Sequence, residues 1–109
     1  MNNEELAKLS DAAVIEKMIN GEISRNKNYD FFNTNRGRAL HGKTKAILAI
    51  IEELKAGTKI VEEKKDGERF ALKMANKKKN YTKTVFFDAI SWKLFNTLRA
   101  KGVDNGRNK

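Results

Sequence analysis

Lys59-Ile60-Val61-Glu62-Glu63-Lys64-Lys65-Asp66-Gly67-Glu68-Arg69-Phe70-Ala71-Leu72-Lys73-Met74-Ala75-Asn76 reads as two extended segments joined at Asp66-Gly67. An Asp-Gly pair supplies the positive-φ residues that a tight hairpin needs. Phe70, Leu72 and Met74 alternate with polar or small residues, which is the period of a half-buried strand. Two registers fit. A two-residue loop sets Val61 opposite Leu72, and a three-residue loop with Gly67 as the bulge sets Ile60 there. Lys77–Asn80 forms the next turn, and Tyr81–Phe87 is a third strand in which Val85, Phe86 and Phe87 imply burial on both faces. Strands that follow one another through tight turns pair antiparallel.

On the C-terminal side, Asp88 is placed to cap a helix over 89–101, with Ile90, Leu94 and Leu98 as its main apolar face and Gly102 at its end. Trp92 lies nearly opposite that face, beside Phe95 and Arg99. Either the helix is buried on two sides, or Trp92, Phe95 and Arg99 form a patch for a partner, since Trp and Arg concentrate at interfaces. On the N-terminal side, Ile47, Ile50, Ile51 and Leu54 mark a helix that Gly57 stops. Its onset falls within 36–43, so it covers about 40–56, and Gly42 weakens its first turns. An earlier helix, 11–20, follows Ser10 as N-cap and ends at Gly21. Residues 3–9 are read as a short helical turn.

The fold class is therefore α+β, with N-terminal helices, a three-stranded antiparallel meander and a C-terminal helix. No linker or repeat interrupts the chain, which reads as one domain over 1–102 with a flexible basic tail at 103–109.

The charge is strongly one-sided. The 109 residues carry 23 Lys and Arg against 14 Asp and Glu, for a net charge of +9. Residues 1–22 sum to −3, so the remainder carries +12. Arg25, Lys27, Arg36, Arg38, Lys43 and Lys45 face one acid, Asp30, within 25–45, and Lys73, Lys77, Lys78, Lys79 and Lys83 face none within 73–83. Such density favours an anionic partner. Tyr29, Phe31 and Phe32 lie in the polar loop 24–37; they either pin that loop to the core or, with a ring exposed, stack on bases beside Arg25 and Lys27.

Several classes are disfavoured. Zero Cys and a single His leave no disulfide framework, thiolate site or multi-His metal cage, so no metal or cofactor is expected. No apolar run reaches the length of a membrane span, and Met1–Leu6 lacks the pattern of a secretory signal, so a cytoplasmic location is expected. Gly37-Arg38-Ala39-Leu40-His41-Gly42-Lys43-Thr44 satisfies the phosphate-loop pattern G-x-x-x-x-G-K-[ST], with Asp88 as a candidate downstream metal carboxylate. That motif needs a buried strand before it and a parallel sheet around it. Asn33-Thr34-Asn35-Arg36 is no such strand, so the octet reads as a chance match in a helix start.

The order of elements over 58–101 resembles the small β-β-β-α modules, integrase arm-binding domains among them, that insert a sheet into the DNA major groove. The resemblance implies a sheet with one face covered by helix and the other turned to DNA. The leading expectation is a non-enzymatic nucleic-acid-binding protein, with DNA slightly ahead of RNA. Arg25, Lys27, Arg36, Arg38, Lys43, Lys77, Lys78, Lys79 and Lys83 would meet phosphates, and Arg69 and Lys73 would reach base edges. The alternative is a small inhibitor or modulator steered to an acidic protein partner. Nucleotide binding at the octet stands third.

Overall fold

The computed structural model of the chain describes residues 1–100. The helical end of the predicted last helix at 101 and the predicted tail at 103–109 lie outside them. The elements are α1 (Asn3–Ala7), α2 (Asp11–Ile19), α3 (Tyr29–Phe32), α4 (Asn35–Lys55), β1 (Lys59–Asp66), β2 (Arg69–Asn76), β3 (Tyr81–Phe87) and α5 (Ala89–Leu98). This is the expected α+β order. No described helix is long and apolar enough to cross a membrane. The described residues divide into two compact units, one of Met1–Leu48 and one that begins at Ala49.

In the first unit, Ser10 caps α2 as expected, its hydroxyl accepting from the Ala13 N–H at 3.2 Å. Gly21, just past the helix, takes φ +77°, the left-handed conformation that ends helices at low cost in Gly. The loop 24–37 is more ordered than its sequence implies. It holds α3, whose Phe31 and Phe32 are buried with their rings edge to face, 4.9 Å apart. The Asn28 amide donates to the Met1 carbonyl at 3.0 Å, and Asn3 accepts from the Phe31 N–H, so polar side chains fasten this segment to the N-terminus.

The onset expected for α4, no earlier than 36 and near 40, is corrected to Asn35. Two features explain the earlier start. Thr34 is an N-cap, its hydroxyl accepting from the Gly37 N–H at 3.0 Å while its carbonyl accepts from the Arg38 N–H. Gly37 also lets the helix pass against the α3 backbone, where a Cβ would sit 2.2 Å from the Phe31 carbonyl oxygen. The buried residues of the first unit include Leu6, Val14, Ile15, Leu40 and Ile47 along with those two Phe side chains.

In the second unit the sheet order is β1-β2-β3, antiparallel throughout. Neither expected register holds. The loop is Gly67-Glu68, so Asp66 pairs with Arg69 and Glu63 lies opposite Leu72. Gly67 at φ +68° occupies the first loop position, and Glu68 has no positive φ. Positive φ at the first position alone is the type II′ pattern, which asks for Gly there. The register then shifts between Ile60 and Glu62, with Val61 as the extra residue, and this returns Ile60 to a place opposite Met74.

Phe70, Leu72 and Met74 share one sheet face with Phe87 and Val85 across from them. Burial on both faces of β3 is not found. Phe87 is buried, but Phe86 is 49% exposed on the opposite face. The apolar face is covered by α5, and here too the expected side is corrected. Ile90 is exposed and Leu94 half-buried, whereas Ser91 and Phe95 are buried. Trp92 stacks on Phe70 with centroids 5.1 Å apart and planes 1° from parallel, and Phe95 stacks on Phe87 at 5.1 Å. Four aromatic rings thus outcompete the aliphatic stripe for the sheet.

Candidate nucleic-acid interface

The cations singled out in the sequence fall into three groups. The first is structural. The Arg36 guanidinium donates to Asp11 Oδ1 at 2.8 Å and to the carbonyls of Ala7 and Leu9, and it lies over the Phe31 ring. Its donors bind α2 and the segment before it to α4, so it is a clamp rather than a phosphate contact. Lys83 is directed to the covered face of the sheet, where it pairs with Glu53. Glu53 also accepts from the Tyr81 hydroxyl at 3.3 Å, and Tyr81 and Thr58 bond each other at 3.2 Å. Lys43 is half-buried on α4.

Arg99 is structural as well, reaching Glu63 at 3.2 Å with its guanidinium 5.3 Å from the Phe95 centroid. The patch foreseen from Trp92, Phe95 and Arg99 therefore turns inward, with Phe95 wholly buried. Sequence reasoning missed Glu63. The run Val61-Glu62-Glu63-Lys64-Lys65 shows no alternation, so nothing in it says which Glu faces α5.

The second group lies on the open face and the far turn of the sheet. Pairing through the pleat places Arg69, Lys73 and Phe86 on the face away from α5, with Lys73 opposite Thr84 on one side and Glu62 on the other. The Arg69 guanidinium lies 4.0 Å from the Phe86 centroid and 3.5 Å from Asp66 Oδ2. Lys77, Lys78 and Lys79 are all exposed in the β2–β3 turn. This turn is built, not merely polar. Asn76, itself buried, accepts from the Lys79 N–H at 2.9 Å through its side-chain oxygen and donates to Thr58 at 3.0 Å. Asn80 closes the turn at φ +55°, a conformation Asn tolerates better than most residues. Among the described residues, none of the three lysines has a carboxylate partner.

The third group belongs to the first unit. Arg25, Tyr29, Phe32, Asn33, Arg38 and His41 line a cleft of about 400 Å³. Of the three loop aromatics, Phe31 and Phe32 are core residues, as the first of the two readings expects, but Tyr29 is 64% exposed. Lys27 is exposed nearby in sequence, its N–H donating to Ser24 Oγ at 3.2 Å.

Burial lowers the His41 pKa from its ordinary 6.5, and the Arg25 and Lys45 charges lower it further. The unfolded chain therefore takes up this proton first as pH falls. His41 contributes its full stabilisation above about 6.5 and loses it progressively as pH drops through that value toward the lowered folded pKa. Denaturant melts at pH 7.5 and 5.5 should show a larger loss for the wild-type protein than for His41→Gln. Equal losses would mean that the imidazole titrates alike in both states.

The phosphate-loop octet is helical from end to end within α4. Its backbone N–H groups serve the helix and form no nest for phosphate. Gly37 serves close packing, and the Thr44 hydroxyl, buried, donates to the Leu40 carbonyl at 2.8 Å. Asp88, the candidate metal carboxylate, caps α5 by accepting from the Ser91 N–H at 2.8 Å. No family model, no curated protein and no solved structure matches the chain.

Proposed function

We propose that the chain binds nucleic acid without carrying out chemistry on it, with duplex DNA slightly favoured over RNA, through the open sheet face and the β2–β3 turn. The observation that carries this reading is the turn itself. A buried Asn76 side chain and a left-handed Asn80 set the backbone of this turn, so that Lys77, Lys78 and Lys79, exposed and without a carboxylate partner among the described residues, project from the end of a sheet. Each phosphate that a lysine neutralises there releases counterions, a gain that does not depend on base sequence. Arg69 and Lys73 rise from the same open face, where a three-stranded sheet presents side chains at spacings suited to a groove. Glu62 and Asp66 temper the charge there, and Asp66 is already engaged by Arg69.

The second reading, a modulator of a protein partner, is favoured by a groove of about 610 Å³ beside the β1 bulge, where Ile60, Val61 and Ala75 lie between Lys59, Lys77 and Lys78. Val61 is 55% exposed there. An acidic segment with one apolar anchor would suit it.

Labelled duplexes and single strands titrated at several salt concentrations, wild type beside the Lys77→Ala/Lys78→Ala/Lys79→Ala protein, test the first reading. Affinity should fall about equally for unrelated sequences, and the log–log salt slope on duplex DNA should become shallower by up to about 0.9 per lost contact. Melting should be unchanged or slightly raised, since like-charge repulsion is relieved. Unchanged affinity and slope would take the turn out of the binding surface. Absence of measurable affinity at physiological salt, with retention of an acidic protein on the immobilised chain, would give the second reading.

A further inference from the structure

The cleft of the first unit has a chemistry of its own. Its lining offers two guanidinium groups, Arg25 and Arg38, with no carboxylate among the lining residues. Among the described residues neither Arg has an ion-pair partner, and the Arg38 guanidinium donates to the Asn35 side chain at 3.2 Å. The Tyr29 ring is 64% exposed although its neighbours Phe31 and Phe32 are buried. An exposed aromatic ring beside uncompensated guanidinium groups is the combination that holds a base by its face and its phosphate by charge. Phe32 and His41 also line the cleft, their rings edge to face with centroids 6.4 Å apart. Asn33 adds an amide able to donate and accept, and His41, its pKa lowered by burial and by the Arg25 and Lys45 charges, adds ring nitrogens able to hydrogen-bond. A volume of about 400 Å³ matches one nucleotide rather than a helix or a folded surface.

We propose that this cleft binds a single phosphorylated nucleotide, its base against Tyr29 and its phosphate between Arg25 and Arg38. The ligand is either a free nucleoside monophosphate or the 5′-phosphorylated end of a strand; both present the same chemistry. The site lies in residues 25–41 and does not depend on the sheet, so it stands or falls separately from the duplex surface.

Calorimetric titrations of the full chain with 5′-AMP, adenosine, inorganic phosphate, and a short single strand with and without a 5′-phosphate test it. 5′-AMP should bind at least tenfold more tightly than adenosine or phosphate, because both halves of the site must be filled. Tyr29→Ala and Arg38→Ala should each weaken 5′-AMP at least tenfold, and Tyr29→Phe should retain binding, since stacking needs the ring and not the hydroxyl. Both residues are exposed, so their variants should melt like the wild type, and duplex affinity should be unaffected by Tyr29→Ala. A preference for the 5′-phosphorylated strand over 5′-AMP would identify a strand end, and equal affinities a free nucleotide. Phosphate binding as tight as 5′-AMP, insensitive to Tyr29→Ala, would reduce the cleft to an anion site and overturn the proposal. So would the absence of 5′-AMP binding at millimolar concentration.

Discussion

Phe95→Ala is expected to cost about 3–5 kcal/mol of stability, the range for truncating a large aromatic in a packed core. The Phe95 side chain is wholly buried, stacked on Phe87 at 5.1 Å and 5.8 Å from Trp92. Its loss would open a cavity among rings that cannot collapse into it, and would leave the Arg99 guanidinium without the ring beneath it. Leu94→Ala is the control. Leu94 is half-buried, so the same truncation there should cost less than about 2 kcal/mol, below the usual range for a core Leu. Denaturant melts of the two variants rank the faces of α5 directly. A larger loss for Leu94 than for Phe95 would restore the face read from the aliphatic stripe and displace the aromatic one.

That stripe shows how far the sequence was legible. Element order, strand pairing sense and most caps follow from local signals, because Ser10, Asp88 and the Asp66-Gly67 pair act within a few residues of themselves. The face of α5 does not. Ile90, Leu94 and Leu98 and the set Trp92, Phe95 and Arg99 are both spaced for a helix, and only the rings of Phe70 and Phe87 on the sheet favour the second. Register failed for a similar reason. Val61-Glu62-Glu63-Lys64-Lys65 contains no alternation to pin it, and the bulge at Val61 answers to Met74 across the sheet. Among candidate site residues, net charge identified the basic stretches, but it could not separate a clamp such as Arg36 from a cation such as Lys78, which has no carboxylate partner among the described residues. That distinction rests on which carbonyls and carboxylates the fold brings near. Tyr29 was visible as one of three loop aromatics, and only packing of its two neighbours reveals it as the exposed one.

The two glycines of the octet should respond to Ala in opposite directions. Both lie inside α4, where Ala is preferred over Gly by roughly 0.8–1.0 kcal/mol per residue. At Gly42 nothing lies within 4 Å of an added Cβ, so Gly42→Ala should realise that gain and raise the melting temperature. At Gly37 the same Cβ would meet the Phe31 carbonyl oxygen at 2.2 Å and Phe32 Cα at 2.7 Å. Both are backbone atoms, so α3 or α4 must move as a segment, and the shift would strain the Thr34 cap and the Arg36 clamp that fix the helix start. Overpacking of this kind costs about 1–3 kcal/mol or more, enough to exceed the propensity gain. A phosphate loop predicts a different pattern, because there both glycines serve backbone approach to a nucleotide and neither substitution should stabilise the free protein. Thermal melts of the two single variants without ligand separate the cases. Stabilisation by Gly42→Ala together with destabilisation by Gly37→Ala identifies 37–44 as a packed helix. Destabilisation by both would mean that the segment leaves the helical conformation, and would reopen the octet as a loop.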